Sequence, residues 1–445
     1  MGLRRVLAVW AAKAAEKISV KVFHRQGVTW AGKIALAICP NILAELSKQV
    51  RKDIFVVCGT NGKTTTNNLL AAALKAEGYR VICNRTGSNM LNGVAAAFAL
   101  GAGLNGKIEA DYACIEIDEA STRRVFPFFK PDYMVLTNLF RDQLDRYGEI
   151  DLIMEILKES MQSAPEMKVI VNGDDALSAY LAKDSGNAYV AYGISKPVQR
   201  ETVQEIREGR FCKCCGAVLD YEFYHYSQLG SYHCSKCGFQ RPKLSFDAED
   251  IHLENGLAFT TEGRKFTTSY RGFYNIYNLL AAYSAARTAG LSLEHFQTML
   301  DAFRPENGRM EKFHIAGTDV LLNLAKNPAG FNQNITAVLE DPSPKDLIIA
   351  INDNMQDGID VSWLWDVDFD RLRLASVESI LASGIRCHDM GLRLKYAGIQ
   401  AQIEADIEKA IDRKLKDGCG NLYVLVNYTA LFGTRNVLKN MEESR

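Results

Sequence analysis

From residue 51 onward, short apolar runs of strand length alternate with stretches of helical period. The runs Ile54–Val57, Val81–Cys83, Ala113–Ile117, Tyr133–Thr137 and Val169–Val171 are apolar at consecutive rather than alternate positions. Strands buried on both faces have that pattern, which predicts a parallel sheet covered by helices on each side. A helix is predicted to open near Lys63 and carry Leu69, Leu70 and Leu74 into that core. The segment N-I-Y-N-L-L-A-A-Y-S-A-A-R predicts another around Tyr274–Thr288. Residues 205–245 break the rhythm with cysteines, tyrosines and glycines. Past about residue 315 a second α/β pattern begins, with strands expected at Val320–Leu324, Leu347–Ile351, Ser379–Ala382 and Leu422–Val426. The expected organisation is a basic N-terminal segment (1–50), a central α/β domain (51–314) with an insertion at about 205–245, and a C-terminal α/β, Rossmann-like domain (315–445).

Charge separates the first part from the rest. Residues 1–52 hold ten Lys/Arg against Glu16 and Glu45, a balance of +8, and the whole chain is at -1, which leaves -9 elsewhere. Such overall balance gives no field that would favour nucleic acid, so no nucleic-acid partner is expected. Lys13 and Glu16 interrupt the apolar start and no small-residue cleavage site follows, so it does not read as a secretory signal. No window approaches the ~18 uninterrupted apolar residues that a spanning helix needs. Residues 5–21 predict a basic amphipathic helix with Val6, Trp10 and Ala14 on one stripe. Packing on its own domain is the plainer reading of that stripe, and contact with an anionic membrane surface the other.

The densest chemistry follows the first strand. G-T-N-G-K-T-T, Gly59 to Thr65, is a glycine-rich turn at the mouth of a helix. Backbone N–H groups of Thr60, Asn61 and Gly62 would face a phosphate, Lys63 would reach the outer phosphates, and the Thr64 hydroxyl would hold Mg²⁺. The spacing is shorter than the strict Walker form, with three residues between Gly59 and Lys63. ATP is the expected ligand. Neighbouring strands should end beside it, and two carry candidate ligands there. Ala113–Ile117 runs into Glu116, Asp118 and Glu119, of which Glu116 is preferred for Mg²⁺. Tyr133–Thr137 leads to Asn138, Asp142 and Asp145, where Asp142 could equally cap a helix.

Cys212, Cys215, Cys234 and Cys237 form two C-x-x-C pairs eighteen residues apart, the spacing of a four-cysteine zinc ribbon. Four thiolates would close the shell, so the zinc is expected to support folding; Cys214 inside the first pair and His225 and His233 between the pairs are the competing ligands. Seven further cysteines are scattered, and Cys58 and Cys114 sit in strand runs as small hydrophobes, consistent with a reducing, cytoplasmic setting. On the loop after Leu347–Ile351, Asp353, Asp357 and Asp360 surround Gly358; turn chemistry alone would account for them, and no glutamate closes a calcium loop.

Taken together, G-T-N-G-K-T-T, E-I-D-E at 116–119, T-N-L-F-R-D-Q-L-D-R-Y-G from 137, N-I-Y-N-L-L-A-A and N-G-R-M-E resemble the Mur ligase superfamily. The resemblance implies a Mur-ligase-type P-loop domain whose nucleotide also meets Thr65, Asn138, Asn275, Asn278 and Arg309, and a reaction through an acyl phosphate. Three departures stand out: only about 50 residues precede the P-loop, where a UDP-sugar domain is usual; Gln143 and Tyr147 replace common histidines; and a zinc ribbon is inserted. Lys158 falls near the place of a modified lysine in the family. With N-L-A-K-N-P-A-G at 323–330 and D-G-I-D-V-S-W at 357–363, these departures resemble the branch that amidates the D-glutamate α-carboxylate of the lipid II stem peptide.

That branch implies a cytoplasmic chain at the inner membrane face and ammonia from a separate class I glutamine amidotransferase of the GatD kind. No cysteine here has the turn context of a glutaminase nucleophile. Asp360 would complete the partner's Cys–His pair, Lys63 and Glu116 would serve phosphoryl transfer, and Lys326 and Asn327 would line the acceptor side. An amino-acid-adding ligase related to folylpolyglutamate synthase is the rival enzyme reading, and a nucleotide-binding zinc-ribbon regulator the rival from another class.

Overall fold

The computed structural model describes residues 2–23, 28–141, 150–198, 208–254, 256–304, 308–374 and 376–444. Its centre is a seven-stranded, all-parallel sheet. The strands are β1 (Ile54–Cys58), β2 (Val81–Cys83), β3 (Tyr112–Glu116), β4 (Tyr133–Leu136), β5 (Lys168–Asn172) and β6 (Tyr189–Gly193). After the ribbon strands β7 (Asp220–Tyr226) and β8 (Leu229–His233), β9 (Phe246–Asp247) closes the sheet, in the order β2-β3-β1-β4-β5-β6-β9. The central strand β1 thus lies between β3 and β4, and three carboxyl ends converge on one edge.

Both faces of the sheet are buried, as consecutive apolar runs require. Ile54, Val56 and Cys58 of β1 join one core, with Ala113, Ile115 and Met134. Phe55 and Val57 join the other, under Leu69, Leu70 and Leu74 of the P-loop helix and Leu279, Leu280 and Tyr283 of the helix Tyr274–Thr288. The first face is covered by α1 (Gly2–Phe23), α2 (Val28–Ile38), α3 (Ile42–Ser47) and, beyond α4 (Lys63–Ala76) of the opposite face, α5 (Leu91–Gly101). The N-terminal segment is therefore helical and packs on its own domain, but not by the expected stripe. Trp10 and Ala14 face solvent, while Ala8, Val9, Ala12 and Ala15 are buried. Small side chains let α1 approach α2 and α5 more closely than a tryptophan would, and the packing contact selects that face.

A three-stranded antiparallel meander (Glu249–His252, Leu257–Thr261, Arg264–Thr268) precedes Tyr274–Thr288. It lies in a stretch where the apolar pattern predicts no strand, because its short strands carry neither a continuous apolar run nor a sustained alternation. The C-terminal sheet orders its six strands as Glu311–Ile315, Thr318–Leu324, Asn421–Val426, Lys345–Ala350, Val377–Ser383 and Gln402–Ile403. Only the first pair is antiparallel. That sheet opens at Glu311, slightly before the residue 315 at which the second pattern begins in the sequence.

The ribbon β7–β8 is fastened to the central sheet beneath β5. Asp174, fully buried, accepts from the Ile194 N–H at 2.8 Å and the Tyr277 hydroxyl at 2.7 Å. Its other oxygen faces Arg241 at 3.2 Å, whose guanidinium also donates to the Ile194 carbonyl at 3.2 Å. Burial pushes the Asp174 carboxyl up to about 7, against the pull of Arg241, Ile194 and Tyr277. A folded value above the unfolded one of about 3.9 means that this group's contribution is full below about pH 4 and is lost as pH rises through about 7. Replacing Arg241 by Met should raise the carboxyl further and extend that loss upward. Thermal unfolding of Arg241→Met should lie only slightly below the unsubstituted chain at pH 5, with a gap of about 3 kcal/mol at pH 8.

Candidate active site

The carboxyl end of β1 turns into the P-loop because two of its glycines lack a side chain where one could not fit. Gly59 has φ +120°, and a Cβ there would lie 2.2 Å from Thr137 Oγ1. Gly62 has φ +84°, and a Cβ would lie 2.1 Å from Asn278 Oδ1. The loop is held from the β4 side: Asn138 accepts from the Asn61 N–H (2.9 Å) and donates to its carbonyl (3.1 Å), Thr60 N–H donates to the Asn138 carbonyl (2.8 Å), and Thr137 donates to Asn61 (2.7 Å). Asn138 therefore supports the loop, and it takes up the Thr60 and Asn61 N–H groups that the sequence assigned to phosphate. Asn278, linked to Asn275 at 2.8 Å, braces it from the helix Tyr274–Thr288.

Lys63 opens α4 with its ammonium turned back into the loop, where it donates to the Gly59 and Thr60 carbonyls and to Glu119 Oε1 at 2.9 Å. The same Glu119 oxygen accepts from the Gly59 N–H at 2.8 Å. A carboxylate thus satisfies the ammonium that the sequence assigned to phosphate, together with the first N–H of the loop. Burial alone would depress the ammonium, but Glu119, Glu116 and Asp118 outweigh it and hold the Lys63 pKa above the ordinary lysine value.

Glu116, at the tip of β3, is held on every side but one. Asn84 clamps its backbone (2.8 Å to N and to O) and Asn89 donates to Oε1 at 2.8 Å. Oε2 is buried without a hydrogen-bond partner. A methyl placed on Gly87 would lie 3.3 Å from Thr64 Oγ1 and 3.6 Å from that Oε2, so both oxygens border one small space. An orphaned carboxylate oxygen beside a hydroxyl is a donor set that suits Mg²⁺. Arg309, half-buried near Glu116, Tyr270 and Tyr274, has its pKa lowered by loss of water and raised in part by those neighbours.

The C-terminal unit reaches this edge. Asn327 caps the helix Pro328–Leu339 through Gly330 N–H (2.8 Å), and its amide exchanges hydrogen bonds with that of Asn61 at 3.1 and 3.3 Å. Burial raises the Glu119 carboxyl above its ordinary value, with Lys63 and then Lys326 opposing the rise, and Arg141 pairs with Asp366. Asp142, Gln143, Asp145 and Tyr147 lie outside the described residues. Lys158 is directed elsewhere, pairing at 2.6 Å with Asp184 in the last turn of a helix that leaves β5 at the site edge. That puts it roughly 15 Å along the helix from the P-loop edge.

Of the three acids after Lys345–Ala350, Asp353 pairs with Arg386 at 2.8 Å and Asp357 is buried against Thr429. Asp360 is exposed, accepting from Ser362 N–H (2.8 Å) and Oγ (2.9 Å). These two bonds, with the Arg141 charge behind them, hold its pKa below the usual carboxylate value.

The four ribbon sulfurs gather at one point. Cys212, Cys215, Cys234 and Cys237 lie within 4.8 Å of one another, with Cys212–Cys237 at 3.5 Å and Cys215–Cys234 at 3.6 Å. Tetrahedral zinc bonded at about 2.3 Å requires sulfurs roughly 3.8 Å apart, so the set fits the ion. Cys214 is exposed outside the group, and His225 is buried among Phe223, Phe273 and Tyr277, its imidazole depressed to about 4 by burial. Each knuckle turns at a glycine after its second cysteine, Gly216 (φ +74°) and Gly238 (φ +73°), a C-x-x-C-G repeat that the sequence displayed and that spacing alone overlooked.

Sequence reasoning also missed Gln228 at the ribbon tip. It is buried and donates to the Leu139 carbonyl (2.8 Å) and to Asp175 Oδ1 (2.7 Å). Asp175 in turn accepts from the Leu139 N–H at 2.8 Å. Leu139 follows the P-loop support Asn138 directly, and the next residue, Phe140, is bonded to the Thr60 hydroxyl through both N–H and carbonyl at 3.0 Å. No sequence motif marks this chain of bonds; Asn84 and Asn89, within N-R-T-G-S-N after β2, could have been found as a polar loop at a strand's carboxyl end.

Comparison with known proteins agrees with this geometry. The Mur ligase middle domain family matches residues 57–286 and the MurT ligase C-terminal family residues 324–431. The fold is shared with a pseudomurein peptide ligase type C from Methanothermus fervidus (TM-score 0.67, 22% identity, 88% of this chain and 79% of that one). It is shared too with MurF from Acinetobacter baumannii (TM-score 0.65, 16% identity, 92% and 80%). A P-loop sheet carrying a Rossmann-like C-terminal domain, matched in this way, defines a Mur ligase. The chain is also 36% identical to the lipid II isoglutaminyl synthase subunit MurT of Staphylococcus aureus, over 96% of each chain, and 33% identical to that of Streptococcus pneumoniae, over 99% and 98%. It belongs to the family of these MurT subunits.

Two outcomes test the site. Cys234→Ser should lose the bound zinc, read by elemental mass spectrometry, and should lower the unfolding temperature. Gln228→Leu should keep its zinc yet raise the KM for ATP several-fold, because Leu139 and the loop it supports lose a buried partner.

Proposed function

We propose that this chain is the synthase subunit that amidates the D-glutamate α-carboxylate of the lipid II stem peptide to D-isoglutamine, with ATP and with ammonia from a separate glutaminase. The observation that carries this reading is the similarity to MurT subunits along nearly the full length of both chains. The local geometry supports it.

ATP binds with its phosphates at the N-terminus of the P-loop helix, where they take over Lys63 and the Gly59 N–H from Glu119. Thr64 and Glu116 Oε2 would hold Mg²⁺, which would neutralise charge on the phosphates. Lys63 stabilises the charge that builds on the γ-phosphoryl group as it passes to the substrate carboxylate. ADP departs, ammonia attacks the acyl phosphate, and inorganic phosphate leaves as the amide forms. Asn275, in the first turn of the helix Tyr274–Thr288, and Arg309, in the link to the C-terminal unit near Glu116, serve the nucleotide, and Lys326 the acceptor side.

The C-terminal unit docks the glutaminase, a class I amidotransferase of the GatD kind. Asp360 shares its loop with exposed Met355 and Ile359, and the exposed Trp365 packs edge-on against exposed Tyr396 at 5.4 Å. An apolar surface of this kind next to an outward carboxylate suits a protein partner whose histidine the carboxylate orients. The chain works at the cytoplasmic face of the membrane, where lipid II is presented; no described helix is long and apolar enough to cross it.

Amidation of lipid II, followed by mass spectrometry with ATP and Mg²⁺, is the deciding experiment. Product with ammonium alone, and with glutamine only when the glutaminase is added, is expected. ATP turnover that instead depends on an added amino acid would point to an amino-acid-adding ligase. Lys63→Ala should abolish product under both feeds. Asp360→Asn should cut glutamine-fed turnover by about two orders of magnitude or more and leave the ammonium-fed rate near that of the unsubstituted chain.

A further inference from the structure

Helix α1 is apolar on two opposite faces. The inner one is built of small residues, Ala8, Val9, Ala12 and Ala15, seated in the core with α2 and α5. Two polar bonds fix its rotation: Lys13 donates to the Leu100 carbonyl and Trp10 to the Leu104 carbonyl, each at 2.7 Å. The outer face cannot turn inward. It carries large residues instead, Leu3 (75% exposed), Leu7, Trp10 (52%) and Ile18, with exposed Leu104 beside it. At 3.6 residues per turn, positions 3, 7, 10, 14 and 18 fall within an arc of roughly 80°, a single stripe along the helix.

Charge identifies what this stripe meets. Arg4 and Lys17, both exposed, flank or interrupt it and make no ion pair among the described residues. They belong to the segment with ten Lys/Arg and two Glu. A second copy of the chain would bring two such basic segments together, which like-charge repulsion opposes. An anionic bilayer satisfies both features, taking the large apolar side chains below its headgroups while its surface attracts the basic ones.

We propose that the outer face of α1 is a membrane-docking face that seats the chain on an anionic lipid surface. Its position is useful to the chemistry. The inner face packs on α5, which begins immediately after Asn89 and Met90, the former being the amide that orients Glu116. One short helix, roughly 15 Å long, joins the docking face to the nucleotide site. The value of docking rests on the lipid-linked substrate proposed above; docking itself is tested without turnover.

The zinc-loaded full chain should float with phosphatidylcholine vesicles containing about 30% phosphatidylglycerol and not with pure phosphatidylcholine, and added salt should weaken the binding. Leu3→Glu with Leu7→Glu touches neither polar anchor, so it should keep the unfolding temperature and the ammonium-fed amidation of detergent-dispersed lipid II. It should lower vesicle binding roughly tenfold or more and slow amidation of vesicle-borne lipid II. Arg4→Glu with Lys17→Glu should do the same through charge alone. Equal flotation of variants and unsubstituted chain, or no flotation at all, would overturn the proposal. So would a dimer, seen by light scattering, that Leu3→Glu with Leu7→Glu converts to monomer. Docking without amidation by the unsubstituted chain would instead overturn the substrate reading and leave the docking face standing.

Discussion

The structure is organised around a buried ammonium. Lys63 sits under the P-loop, almost without solvent, so its charge is tolerable only against a matched negative charge. Glu119 supplies that match directly, and Glu116 and Asp118 from the same strand end add to it. Three buried acids would in turn be excessive for one lysine. Arg309, from the link between the two sheets, sits beside Glu116, and Lys326 stands near Glu119. The positions of β3, of the link at Arg309 and of the first loop of the C-terminal unit are therefore tied to a single charge. In the function proposed, a nucleotide enters a site that is already an ion network, and its phosphates exchange with the Glu119 carboxylate instead of opening an empty cavity.

Support for this network comes from unusual directions. The segment after β4 would be an ordinary loop, yet Asp175 and the ribbon residue Gln228 hold Leu139 from beneath. The four thiolates shape two glycine knuckles, the knuckles shape β7–β8, and the tip of that hairpin carries Gln228. The cysteine cluster is remote from the P-loop in sequence but connected to it through hydrogen bonds between buried groups, which are worth most where water cannot replace them.

Much of this was legible in the chain. Continuous apolar runs located the strands they marked to within a residue or two, because a strand buried on both faces has few other compositions open to it. Tyr189–Gly193 and Glu311–Ile315, which mix polar and apolar residues, went unmarked. The P-loop and the cysteine pairs were legible because their chemistry demands fixed spacing. Glu116 was favoured over Asp118 and Glu119, and its unpartnered oxygen beside Thr64 fits that preference. What the sequence hid depended on tertiary contact. The meander 249–268 alternates polar and apolar residues weakly. The inner face of α1 is made of alanines, whose burial no hydrophobic stripe announces, while the conspicuous tryptophan points outward. Lys158 has the right sequence distance from Asp142 for a site residue, but the helix that carries it presents it to Asp184 instead. Gln228 has no motif because any residue type could occupy a ribbon tip until its neighbours are known.

The amide pair Asn61–Asn327 joins the two units by two hydrogen bonds between neutral groups. Each is worth about 1 kcal/mol net, so together they favour the joined arrangement by only a factor of roughly 30. Such a latch holds the units together for most of the time, yet thermal motion releases it without help. The ion pairs that cross the same junction, Arg141–Asp366 and Arg271–Asp341, are partly open to water and add little to it. A protein that must admit a bulky lipid-linked substrate and discharge ADP at each cycle can therefore part its units there without breaking a fully buried charge pair.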